Sequence, residues 1–235
     1  MGLFDLLNPS TAGAGATRAA LDEAAQAGGD QSAVTQMVEK LLAIGIDGAG
    51  GYASAAAVAQ SALADAEGDR DQAVNRIIRQ HVVTGGVGGI ATSIGGFVTI
   101  PVALPVNLFE FYVQAARMVA AVAVVRGYDV ADDTIRTAVL LTMVGSNSDE
   151  MLAKAGITTG SGRLASLAAG RLPRSAMMII NKAVGFRLLR SVGESTASRL
   201  GRAVPLLGGA VGGALDGYMM HHIAQQARQE FPRLG

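Results

Sequence analysis

Four polar side chains interrupt an otherwise apolar stretch of this sequence: Asn107, Glu110, Gln114 and Arg117. Their steps of 3, 4 and 3 residues put all four on one stripe if the stretch is helical. A carboxylate and a guanidinium in such a setting are costly to bury unless they are paired and hydrogen-bonded. Two readings follow. Either the stripe is an internal polar network joined to a basic partner such as Arg187 or His81, or it lines a ligand pocket between helices, with Asp216 as a further lining residue. Asp216 itself sits near His221 and His222, but a step of five residues turns Asp216 and His221 to different faces, and the i+4 position is Met220. With no Cys and no His-Glu-x-x-His string, no metal site is expected.

Other strings resemble catalytic or cofactor motifs only superficially. Gly86 to Ala91 matches G-x-G-x-x-A, yet it follows a helix-like stretch instead of a strand and lacks the later acidic residue of a dinucleotide site. There is no Gly-Lys-Ser/Thr phosphate loop and no G-x-S-x-G elbow, and Ser161 between Gly160 and Gly162 reads as loop. No catalytic residue and no cofactor is assigned.

The basic residues point to a partner surface. Across 235 residues the formal net charge is zero, but residues 1–150 hold 8 basic and 16 acidic side chains and residues 151–235 hold 11 and 3. Between Lys154 and Arg202 nine basic residues face one acid, Glu194. They include Arg171, Arg174, Lys182, Arg187, Arg190, Arg199 and Arg202, interleaved with Met177, Met178, Ile179, Ile180, Leu188 and Leu189. Basic amphipathic helices of this kind suit an anionic membrane surface or a membrane protein complex. The competing reading docks this surface on the acidic first part. Nucleic acid is disfavoured, because aromatics make up 4% of the chain and do not interleave the arginines.

The elements that must carry these groups read as helices throughout. Half the residues are apolar, clean strand alternation is absent, and the predicted class is all-α, a bundle of about eight or nine helices with glycine-rich apolar hairpins. Val34, Met37, Val38, Leu41 and Ile44 mark a helix that Gly48 to Gly51 ends. An alanine-rich helix spans Ser54 to Ala66, and an amphipathic one follows Gly68-Asp69 with Ala73, Val74, Ile77 and Ile78 on one face. The stretch Val106 to Arg126 is apolar nearly all round and belongs at the centre of a bundle. Asp132 or Asp133 caps the next helix, and further helices are expected at 163–169, 175–191, 195–202 and 205–229. Residues 1–35 form a loosely ordered arm and 36–230 one helical domain.

Gly209, Gly213 and Gly217 recur at spacing four, as do Gly85 and Gly89. Each helical Gly costs about 1 kcal/mol relative to Ala, so close helix packing, or self-association into a homo-oligomer, must offset it. Gln80 to Phe109 carries no Asp, Glu, Lys or Arg, yet Pro101 and Pro105 break any single spanning helix. The start of the chain lacks the basic and apolar regions of a secretory signal, and Leu6 stands where a myristoylation motif requires Ser or Thr.

Several strings resemble the EcsC family. Gly95-Gly96-Phe97-Val98-Thr99-Ile100-Pro101-Val102-Ala103-Leu104-Pro105, then Gln114-Ala115-Ala116-Arg117 and Arg126-Gly127-Tyr128-Asp129, look like its core motif. Asn181 to Leu189 and Val204 to Asp216 resemble its second and third motifs, and the likeness extends over roughly residues 36–230 in the same order. The resemblance implies a bacterial, cytoplasmic protein peripheral to the inner membrane, an accessory of transport or secretion systems with no assigned catalytic residues. The expected function is therefore a non-enzymatic membrane-associated accessory protein. The alternatives are a soluble helical domain that binds or acts on a small ligand through the polar stripe, and a homo-oligomer assembled through its glycine faces.

Overall fold

A computed structural model of the chain describes residues 31–49, 52–86, 106–144, 172–185 and 208–234. These residues form seven helices and no strand: α1 (Gln31–Gly45), α2 (Ala55–Asp65), α3 (Arg70–Gly86), α4 (Val106–Arg126), α5 (Asp133–Val144), α6 (174–185) and α7 (Gly208–Glu230). The all-α expectation holds. The helix count among the described residues is below the eight or nine expected, because the helices predicted at 163–169 and 195–202 lie outside them. So do the glycine-rich stretch after Gly86, including Gly89, and the proposed N-terminal arm up to residue 30.

Local chemistry sets three of the helix starts. Ser54 caps α2 by accepting the Ala57 N–H at 3.1 Å. Asp69 caps α3, its Oδ1 accepting from the N–H groups of Asp71 at 2.9 Å and Gln72 at 3.0 Å. The Gln72 N–H, then its side chain, hold the Asp69 carboxyl below the usual carboxylate range. Asp132 accepts the Thr134 N–H at 2.7 Å ahead of α5. Of the two candidate caps read from the sequence, Asp132 thus fills the role.

Helix α4 is the axis of the fold and packs against α1, α2, α3, α5 and α7. From Ala115 to Ala123 every residue is buried, which is why its apolar positions show no one-sided stripe. Its neighbours each offer one apolar face: Val34, Met37, Val38 and Leu41 on α1; Ala55, Ala59 and Ala62 on α2; Val74, Ile77 and Ile78 on α3; Met220, Ala224 and Ala227 on α7. Helix α6 joins through Ile180 and Val184, and Asn181 meets the Thr137 hydroxyl of α5 at 3.4 Å.

The far end of α4 is tied down. The Arg126 carbonyl accepts the Leu234 N–H at 3.0 Å, Tyr128 meets Phe231 edge-on with ring centroids 5.2 Å apart, and Arg126 pairs with Asp71 at 3.0 Å. Further ties run from Asp65 to Arg76 at 3.0 Å and from Asp47 to Arg136, whose fork contacts both carboxylate oxygens. Among the described residues no helix is long and apolar enough to cross a membrane.

Close approach falls on glycines the spacing argument did not single out. A Cβ at Gly45 would stand 2.9 Å from Ala116 Cβ and 3.0 Å from the Val113 carbonyl oxygen, both on α4. One at Gly185 would run into Val34 of α1 and lie 3.0 Å from Val38 Cγ2. Gly217, in contrast, faces the Val82 carbonyl oxygen of α3 with 3.8 Å to spare, ordinary van der Waals contact. Gly85, Gly209 and Gly213 are helical, but their surroundings lie outside the described residues. Gly45→Ala is expected to cost roughly 1–3 kcal/mol through overpacking, and Gly217→Ala to range from neutral to roughly 1 kcal/mol stabilising. Urea unfolding of the two variants checks this, and equal effects at both positions would contradict it.

Candidate sites: a polar stripe on the central helix and a basic outer helix

The stripe lies in the first half of α4, the half away from the tied end. Asn107 is in the first turn, and its side chain lies outside the described residues. Glu110 and Gln114 are half-buried, and Arg117 is buried, 7% exposed. The chain turn between α1 and α2 delivers Tyr52 to the same place. The guanidinium carbon of Arg117 stands 4.4 Å from the centre of the Tyr52 ring, a cation–π contact. Glu110 and Arg117 both act electrostatically on the Tyr52 phenol, so the two ends of the stripe converge there. Burial raises the phenol pKa above its ordinary value, Glu110 adds to that, and Arg117 opposes it.

The hydrogen-bond inventory of this place is incomplete. Nε and Nη2 of Arg117 are buried without a hydrogen-bond partner, and so is the Tyr52 hydroxyl. Burial lowers the Arg117 pKa and the Tyr52 phenol raises it in part, but a guanidinium remains charged across the physiological range. Glu110 finds no ion pair among the described residues, and burial raises its carboxyl above the usual range. Neither Glu110 nor Arg117 forms an ion pair among the described residues.

His81 on α3 is 4% exposed. Its Nδ1–H donates to the Ile77 carbonyl at 2.9 Å, which makes Nε2 the ring's acceptor. Burial, more than any charge, depresses its pKa below 6.5; the Ile77 bond opposes this and Arg117 reinforces it. Asp216 is half-buried on α7, next to Gly217 and its contact with α3. Arg187, the other basic partner considered for the stripe, lies outside the described residues. Among the described residues no group of three or more His, Cys, Asp or Glu could hold a metal ion. Sequence reasoning missed Tyr52, whose one signal was a lone aromatic directly after a glycine-rich turn.

Of the basic residues, α6 carries Arg174, which is exposed, and Lys182, which is half-buried. The buried positions Ala176, Ile180 and Val184 recur every four residues and face inward. On the opposite side Arg174, Met178 and Lys182 also step by four, with Ile179 beside them. Met178 is 69% exposed and Ile179 is 47% exposed. Arg171, Arg190, Arg199 and Arg202 lie outside the described residues. No family model, curated protein or solved structure matches the chain.

The shifts at the stripe have a direction that unfolding can read. The neutral His81 ring is favoured by the fold, so its contribution to stability is complete above 6.5 and declines as the pH falls below that value. His81→Gln is expected to flatten this decline. Glu110 has the opposite sign: its folded carboxyl is raised above 4.5, so the ionised form works against the fold at neutral pH. Glu110→Gln is therefore expected to raise the unfolding midpoint near pH 7 and to leave it unchanged well below 4.5. Denaturant titrations across that range test both, and a midpoint lowered by Glu110→Gln would indicate that an ion pair supports the carboxylate.

Proposed function

We propose that the chain is an EcsC-like, non-enzymatic accessory protein that attaches reversibly to the anionic cytoplasmic face of a membrane through α6. The observation that carries this reading is the outer row of that helix, Arg174, Met178 and Lys182 with Ile179 alongside. Large apolar side chains held in water on a helix that also carries cations are the pattern of a helix that lies in a bilayer interface. Burying an exposed Met or Ile fully is worth about 1.5–3 kcal/mol, and each Lys or Arg near an anionic surface adds about 1 kcal/mol. Arg and Lys can lay their aliphatic stems along the apolar boundary while their charges reach the head groups. The excess of basic over acidic residues after position 150 continues the same polarity along the chain. The EcsC-like strings support a role beside transport or secretion machinery.

Co-sedimentation of the full chain with phosphatidylcholine vesicles, with and without phosphatidylglycerol, tests the attachment. Recovery is expected only with the anionic vesicles and is expected to fall as salt rises. The double variant Met178→Asp, Ile179→Asp is expected to lose binding by about tenfold or more with an unchanged unfolding midpoint, because both side chains are exposed. Equal recovery on neutral and anionic vesicles, or none on either, sinks the reading.

A further inference from the structure

We infer that the Nε–Nη2 edge of Arg117, with the Tyr52 hydroxyl beside it, is a binding site for an oxyanion, the phosphate or carboxylate group of a small molecule. A guanidinium presents its donors in a rigid plane, and the edge formed by Nε and Nη2 matches two oxygens of one carboxylate or phosphate. In this protein that edge is both buried and unpaired. Arg117 as a whole is 7% exposed. Native structures rarely leave buried donors without partners, and a charged donor is the most costly to leave so. Here two orphaned groups, one of them charged, meet in one place, since the Tyr52 ring lies under the guanidinium at 4.4 Å. The cation–π contact also restrains the guanidinium before a ligand arrives.

The neighbouring groups set the charge the site accepts. Arg117 contributes one positive charge. His81, from α3, is neutral near pH 7 and adds none. Glu110, one turn beyond Gln114 on α4, opposes an anion, but it does not occupy the Arg117 edge. Its carboxylate can instead accept a hydrogen bond from a hydroxyl or amine elsewhere on the ligand. The site is thus suited to one oxyanion on a polar small molecule. It is separate from the outer row of α6, so the vesicle experiment can fail while this site stands.

Thermal unfolding and calorimetry of the full chain, with inorganic phosphate or acetate against chloride at matched ionic strength, test the site. A saturable rise in Tm and a binding heat are expected with at least one oxyanion. Arg117→Lys keeps the charge without the fork and is expected to weaken that binding by about tenfold or more. Tyr52→Phe removes only the hydroxyl and is expected to weaken it severalfold, whereas Glu110→Gln is expected to tighten it. Short-chain phosphatidic acid run beside inorganic phosphate separates the two sources of a phosphate. Tighter binding of the lipid assigns a head group, and tighter binding of free phosphate assigns a soluble ligand, each upheld if Arg117→Lys weakens it. Responses that equal chloride for every oxyanion overturn the site. So does an oxyanion response left unchanged by both Arg117→Lys and Tyr52→Phe. If Arg117→Lys does not fold, opposite affinity changes in Tyr52→Phe and Glu110→Gln uphold the site, and no change in either overturns it.

Discussion

The structure depends on one constraint: α4 is a helix enclosed on all sides. Five other helices pack on it, and no residue from Ala115 to Ala123 escapes burial. A cylinder so enclosed needs small side chains wherever another backbone comes close. Ala115, Ala116, Ala120, Ala121 and Ala123 supply them from within, and Ala55, Ala59 and Ala62 of α2 do so from outside. Gly45 takes this furthest, because α1 crosses α4 where even a methyl group would meet the Val113 carbonyl. Interiors packed to crystalline density transmit such demands, so the choice of small residues on α1 and α2 follows from the choice to bury α4.

An enclosed apolar helix has little room for charge, which makes Arg117 the anomaly to explain. Packing alone does not require it, since replacing a buried charge by an apolar side chain of similar volume is often neutral or stabilising. The fold goes part of the way to accommodate the cation by laying it over Tyr52. That contact covers a face of the guanidinium and leaves the Nε–Nη2 edge without a partner. The same burial acts on the surrounding titratable groups in the direction of neutrality: it raises Glu110 and Tyr52 and lowers His81. Around a single cation, burial thus disfavours the charged forms of the neighbouring groups. A structural ion pair is built differently, with both carboxylate oxygens on the fork, as Asp47 sits on Arg136.

What could be read from the chain divides along the line between local and non-local causes. Helix periodicity, the helix starts at Ser54 and Gly68-Asp69 and the all-round apolarity of α4 are local, and all were legible. The stripe was legible as a stripe, because i+3 and i+4 spacing is a property of one helix. Its chemistry was not, because Tyr52 reaches Arg117 from the turn between α1 and α2, a contact no spacing rule within α4 encodes. The glycines show the same division. Gly217 belongs to a visible periodic pattern yet has ordinary space around it, whereas Gly45 and Gly185, outside the four-residue spacing, are close contacts between helices. Whether a glycine is needed depends on how near the opposing backbone comes, and that distance is set by tertiary packing.

The balance of 19 basic against 19 acidic residues also acquires a spatial meaning. Asp47, Asp65 and Asp71 each pair with an arginine of the same acidic first part, Arg136, Arg76 and Arg126 respectively. Those acids are therefore engaged within their own part of the chain and are not the counter-charges of α6. With a formal net charge of zero, the molecule gains no net attraction at long range from the field of a charged surface. Screening confines that field to about 10 Å at 0.1 M salt, so it operates only at contact distances. Under the proposed attachment, contact with an anionic surface would turn α6 inward, and the apolar pair Met178 and Ile179 would then supply the adhesion that neutrality alone does not.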